Sequence, residues 1–172
     1  IIIIIIITKP IITMSKRENY IEWNEMFMGI ASFTSQRSKD PIRQVGAVIV
    51  NADNRIVATG YNGMPPGISD NGNVWGKNPD NAMFNKKHLV CHAEANAIAN
   101  ATCDITGCTM YVTHFPCNEC AKQISTHGIR NVIYANDYGN TLRHVSDFIM
   151  GSAGIIITKY NGTLEFNINI IE

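Results

Sequence analysis

Two short stretches hold the side chains best suited to chemistry. HLVCHAEANAIANAT (88–102) places His92 and Glu94 two apart at the entry of an alanine-rich helix. FPCNECAKQ (115–123) places Cys117 and Cys120 three apart behind Pro116, a residue suited to a helix entry. Side chains at i and i+3 of a helix project to one side and can meet one ion. The positive end of the helix dipole favours thiolates there. One imidazole and two thiolates suit zinc, and three protein ligands leave a fourth position for water, as in a catalytic site. Glu94 lies two residues from His92, which turns it away from shared ligation. It is well placed to handle protons at the open position.

Each half alone has a plainer reading. A lone Cys-x-x-Cys can be redox-active or half of a structural zinc site, and a histidine beside a helix cap is by default a surface residue. The specificity lies in the order: His-x-Glu, then Pro-Cys-x-x-Cys, each after a strand and into a helix. That combination is the signature of zinc nucleobase deaminases. The remaining cysteines, Cys91, Cys103 and Cys108, read as small core or near-surface residues, and His88 and His127 as ordinary polar residues. No further close Cys pair offers a second zinc.

The elements that must carry these residues follow from periodicity. Tyr20, Trp23, Phe27 and Ile30 recur at helical spacing and predict a helix over 17–34, ended by the polar break SQRSKDP (35–41). VGAVIV (45–50) and IVATGY (56–61) predict a β-hairpin about the turn NADNR. NGMPPGISDNGNVWGKNPDN (62–81) reads as a long loop, a length that points to function or disorder. Helices over 93–101 and 118–127 then alternate with strands over 109–113 and 131–135. A helix marked by Leu142, Val145, Phe148 and Ile149 leads to a last strand over 154–158. This alternation predicts a sheet covered on both faces and parallel in its second half. Two adjacent parallel βα units would bring both helix starts to one end of the sheet.

A chain of 172 residues suggests one domain. Formal net charge is zero, which argues against a polynucleotide partner but leaves room for a local cluster that binds one nucleotide. Five unevenly spaced cysteines make a poor disulfide framework and favour a reducing compartment. The isoleucine-rich start lacks a basic region and a cleavage site, and is too short to span a bilayer. Residues 1–13 are expected to be an artefactual or disordered leader, with a β-strand as the alternative, and 14–172 a single zinc-dependent domain.

VCHAEANAI, GCTMYVTHFPCNECAKQI, SQRSKDP, QVGAVIV and GYNGMPPGISD together resemble the deoxycytidylate (dCMP) deaminases of animals and phages, over roughly residues 20–160. The zinc motif is shared by the cytidine deaminase superfamily and fixes the chemistry; RSKDP and GYNGMP point to the dCMP branch. The resemblance implies a three-layer α/β/α cytidine deaminase-like fold, with a five-stranded mixed sheet and helices on both faces. It implies hydrolysis of dCMP to dUMP and ammonia, supplying dUMP for dTMP synthesis in the cytoplasm (a host's, for a phage protein). Catalytic Zn2+ would sit on His92, Cys117 and Cys120. Glu94 would move a proton from activated water to N3 of cytosine and onward to the amine leaving C4. The same resemblance implies a homohexamer activated by dCTP with Mg2+ and inhibited by dTTP. Substrate contacts are expected from Asn62 at the deoxyribose, from Ala93, His114, Phe115 and Tyr138 about the base or phosphate, and from Arg37 and Lys39 at the phosphate. Effector contacts are expected from Asn62, Gly63, Asp70 and Lys39. A solvated charge cluster is the plainer reading of Arg37 and Lys39, and a turn residue that of Asn62. Residues 67–87 match the family only in parts.

Two other classes fit less well. One is deamination of another substrate: dCTP, cytidine, guanine, a riboflavin precursor or tRNA adenosine, the last disfavoured by neutral charge. The other is a non-catalytic zinc nucleotide-binding module, which would need a fourth protein ligand.

Overall fold

The computed structural model of the protein describes residues 14–71, 73–76, 85–137 and 142–163. Helix α1 (Trp23–Ser35) precedes a hairpin of β1 (Gly46–Val50) and β2 (Ile56–Tyr61). A 3-10 turn at Asn73–Trp75 and the one-turn helix α2 (Lys86–Leu89) lead to α3 (Ala93–Ala99). Then come β3 (Thr109–His114), α4 (Asn118–Thr126), β4 (Asn131–Asn136), α5 (Arg143–Ser152) and β5 (Ile156–Lys159). The five strands form one mixed sheet in the order β2-β1-β3-β4-β5. β1 is antiparallel to both β2 and β3, while β3, β4 and β5 run parallel.

The central strands β1 and β3 are buried on both faces, so they read as continuous apolar runs. Ala47, Ile49, Met110, Val112 and Val132 pack with Ala97 of α3, Ala121 and Ile124 of α4 and Met150 of α5. Val48, Val50 and Tyr111 pack with Phe27, Met28 and Ala31 of α1 on the other face. This is the expected three-layer arrangement. Close approach is built into the sequence: a Cβ on Gly60 would collide with the backbone of Ala93 and Ala97, so β2 and α3 lie against each other.

Several expectations are corrected in detail. α1 begins at Trp23 rather than near 17, because residues 14–22 are exposed and bury no apolar face; Tyr20 itself is solvent-facing. Phe148 of α5 also points outward, and the inward positions are Ser146 and Met150. The last strand starts two residues late, after Gly154 turns the chain at φ +70°. The two βα units are not adjacent: β1 lies between β2 and β3. β2 and β3 still point the same way, so α3 and α4 start at the same sheet end. Among the described residues, no helix is long and apolar enough to cross a membrane.

Candidate metal centre

Two of the three expected ligands are helix N-caps. His92 and Cys117 each hold extended backbone at the entry of α3 and α4, and neither side chain caps its helix. Their carbonyls accept the first helical bonds, from the Asn96 N–H at 3.0 Å and the Ala121 N–H at 2.8 Å. Both side chains are thus free to turn toward the gap between the helices. Cys120, in the first turn of α4, faces the same gap.

There the three side chains meet. His92 Nδ1 lies 3.4 Å from Cys117 Sγ and 3.3 Å from Cys120 Sγ. All three donor atoms fall within 4.8 Å of one another, the only such group among the described residues. A tetrahedral ion with Zn–N of about 2.0–2.1 Å and Zn–S of about 2.3 Å would separate N and S by about 3.6 Å. The donor set and its spacing therefore fit zinc. Cys120 is buried, Cys117 half-buried and His92 exposed, so the cluster is open on one side.

The electrostatics separate the two thiols. Hydrogen bonding from Cys120, together with His92, holds the Cys117 thiol down at about 4. The thiol of Cys120 is pushed far up by that same bond, by burial and by Glu94. The bond the two cysteines share thus favours a thiolate at Cys117 and a thiol at Cys120. The His92 imidazolium is favoured by its hydrogen bond to Cys117.

Glu94 is 4% exposed, on the first turn of α3. Burial raises its carboxyl above the usual range, and it hydrogen-bonds Cys120. A carboxyl whose protonated form is favoured by desolvation is suited to picking up and passing on a proton. Ala93 beside it is fully buried at the helix start.

The segment that delivers His92 is tied to the rest of the fold by backbone. Gly63 and Cys91 exchange two hydrogen bonds of 3.1 and 2.9 Å in an isolated antiparallel bridge. α3 is stitched to β2 by Asn96 Nδ2 donating to Tyr61 O at 2.7 Å and Asn100 Nδ2 to Thr59 O at 2.9 Å.

The other expected contacts fall in three places. Asn62 is buried, and its amide holds the 36–45 loop: Oδ1 accepts from Val45 N–H at 2.8 Å, and Nδ2 donates to Arg43 O at 3.0 Å. Lys39 pairs with Asp70, whose carboxyl is held low by that bond, and Arg37 lies 5.6 Å over the Tyr61 ring. These residues form one charged cluster around the end of β2. His114 is half-buried and lines a cavity of about 320 Å³ with Ser35, Gln44, Thr113, Asn136 and Tyr160; none of the three ligands lines it. Burial, and then the Arg43 charge, favour its neutral form. Phe115 is 1% exposed, edge-on to Tyr134 and under Arg143, whose guanidinium lies 3.6 Å from its ring centre. Tyr138 lies outside the described residues.

Sequence reasoning missed Asp40 and Lys86. Asp40 is buried, and both its oxygens accept from Lys86 Nζ, at 2.7 and 2.8 Å. The acidic residue before Pro41 was a visible turn signal; its partner across the long loop was not.

Comparison with known proteins agrees with this geometry. A family model for the cytidine and deoxycytidylate deaminase zinc-binding region matches residues 21–136. Human deoxycytidylate deaminase is 45% identical over 152 residues, covering 87% of this chain and 85% of that protein. The deoxycytidylate deaminase of Mycobacterium phage D29 is 38% identical over 125 residues, covering 67% of this chain and 96% of that one. The dCMP deaminase of cyanophage S-TIM5, solved in complex with dCMP and dUMP, superimposes with a TM-score of 0.65 at 30% identity. It covers 79% of this chain and 95% of its own.

Proposed function

This chain belongs to the cytidine and deoxycytidylate deaminase zinc-binding family, and we propose on that premise that it hydrolyses dCMP to dUMP and ammonia, supplying dUMP for dTMP synthesis. The observation that carries the reading is the convergence of His92, Cys117 and Cys120 beside a buried Glu94 with a raised pKa. The likeness to dCMP deaminases of human, phage D29 and cyanophage S-TIM5 supports the choice of substrate.

His92, Cys117 and Cys120 would hold Zn2+, which supplies Lewis-acid activation of water. Glu94 takes a proton from water at its carboxylate and delivers it to N3 of cytosine as the water oxygen bonds C4; it then carries that oxygen's remaining proton to the amine as the C4–N bond breaks. Its burial raises the carboxyl above the usual carboxylate range, which favours a group that can take up a proton and give it back. Ala93, His114, Phe115 and Tyr138 are the proposed surroundings of the base and phosphate. Arg37 and Lys39 are the proposed phosphate contacts, and Asn62 the deoxyribose contact. Ordering the nucleotide there would draw on the cationic cluster at the end of β2.

Regulation belongs to the same reading. dCTP with Mg2+ activates and dTTP inhibits, through Asn62, Gly63, Lys39 and Asp70, in a homohexamer. The motifs shared with dCMP deaminases support this, as does the grouping of these four residues on two facing loops. A single domain over 14–172 houses the site, in the cytoplasm, where five free cysteines persist. The test is the fall in cytosine absorbance when zinc-loaded protein meets dCMP, alone and with Mg2+ plus dCTP or dTTP. Turnover raised by dCTP and suppressed by dTTP is expected. Turnover of cytidine or guanine in preference to dCMP would move the chain to another branch of the family.

A further inference from the structure

We propose that Asp40 and Lys86 form a brace that positions His92 for metal binding, a role that rests on the metal-centre reading above. Asp40 sits outside the ligand set and is a positioning residue. Its carboxylate is 4% exposed and fully used. Oδ1 accepts from the N–H groups of Ile42 at 2.8 Å and Arg43 at 3.1 Å, both oxygens accept from Lys86 Nζ, and Oδ2 faces Asn62 Nδ2 at 3.4 Å.

From this one carboxylate two routes lead to the same place. The first runs through Asn62, whose amide grips Arg43 O and Val45 N–H, into the next residue, Gly63, and across the two-bond bridge to Cys91. The second runs through Lys86 into α2, where Lys86 O accepts from Val90 N–H at 2.9 Å, and on to Cys91. His92 is the next residue. The 86–91 segment is thus held at its start by an ion pair and at its end by backbone bonds, both anchored in the 36–45 loop and β2. α3 itself has only seven residues, so its own turns do little to fix where its N-cap points. Without Lys86, the segment keeps one anchor, and a buried carboxylate is left short of its counter-charge. Local opening of 86–92 then swings His92 off the two sulfurs without unfolding the sheet.

The experiment follows zinc leaving the intact, zinc-loaded protein into a colorimetric chelator, well below the unfolding temperature. Lys86→Met and Asp40→Asn are compared with wild type, with Lys86→Arg, and with Val50→Ala. Val50 is 2% exposed at the far end of β1, so its truncation destabilises the fold away from the site. Faster release by at least about tenfold is expected for Lys86→Met and Asp40→Asn, in line with the loss that follows removal of outer-shell support. Lys86→Arg should restore slow release, since a guanidinium can span both oxygens. Val50→Ala should release zinc at the wild-type rate. Wild-type release rates in both brace variants would overturn the proposal. So would acceleration of equal size in Val50→Ala, which would assign the effect to general instability. A wild-type protein that takes up no zinc at all would sink the metal-centre reading itself, and the brace with it. Should Lys86→Met not fold, Asp40→Asn, which keeps an oxygen for the Ile42 and Arg43 N–H groups, decides the matter.

Discussion

The cysteine half and the histidine half of the metal centre are built on different principles. Cys117 and Cys120 come from one helix start, so their spacing is set by a single turn of backbone. His92 comes from the end of a segment whose anchors lie far off in sequence: Asp40 is 46 residues before Lys86, and Gly63 pairs with Cys91 from across the long loop. Local geometry holds the first half, and tertiary contacts hold the second. The two halves should therefore fail in different ways.

Replacing a cysteine should have the largest effect. Cys120→Ser removes a buried ligand that the helix cannot compensate, and zinc stoichiometry by atomic absorption should fall close to zero with turnover lost. A zinc content near one per chain in that variant would show that the sulfur is not a ligand. Loss of Glu94 comes next. Glu94→Gln should keep the metal and lower kcat for dCMP by at least about 10²–10⁴-fold, the usual worth of a positioned acid–base group.

The histidine half should yield a stability change as well. Removing one partner of the Asp40–Lys86 pair should cost roughly 3 kcal/mol in denaturant unfolding, toward the low end for a buried pair because Lys86 is partly exposed. Its pH dependence has a definite sign. Burial pushes the Asp40 carboxyl up, but Lys86 and the Ile42 and Arg43 N–H groups outweigh it and leave the carboxyl below its ordinary value of 3.8. A depressed carboxyl stabilises the fold above its unfolded-state pKa, and the contribution is lost as pH falls through the folded value. The stability gap between wild type and Asp40→Asn should stay level above about pH 5 and close below pH 4. A gap that widened with acid would contradict the pairing. The smallest effect is expected at Asn96, where Asn96→Ala removes one bond from α3 to β2 and should cost about 1 kcal/mol.

The same division decides what could be read from sequence. Cys117 and Cys120 are legible because the i, i+3 relation is local and carries its own geometry, and His92 and Glu94 because their motif precedes that pair in a fixed order. The strand–helix order is legible because the central strands are buried on both faces and read as short apolar runs between helical periods. Asp40 was visible only as half of a pair; no local rule joins it to Lys86 across the long loop. The place of Phe115 just before Pro116 and Cys117 is plain in the sequence. The direction of its ring, toward Tyr134 and Arg143, depends on where α5 packs. Tyr20 fits the period of a face that has nothing to bury it, so spacing alone predicts a longer α1 than the fold holds. The insertion of β1 between β2 and β3 is a matter of topology, which spacing along the chain does not encode.

The proposed function puts the convergent zinc ligands and Glu94 in one hydrolytic site. Its most direct test is a paired measurement on wild type and Glu94→Gln: zinc per chain, and the rate at which dCMP loses its cytosine absorbance. One zinc is expected in each protein, with turnover in Glu94→Gln lowered by at least about 10²-fold. Equal turnover in both, with equal zinc, would contradict it.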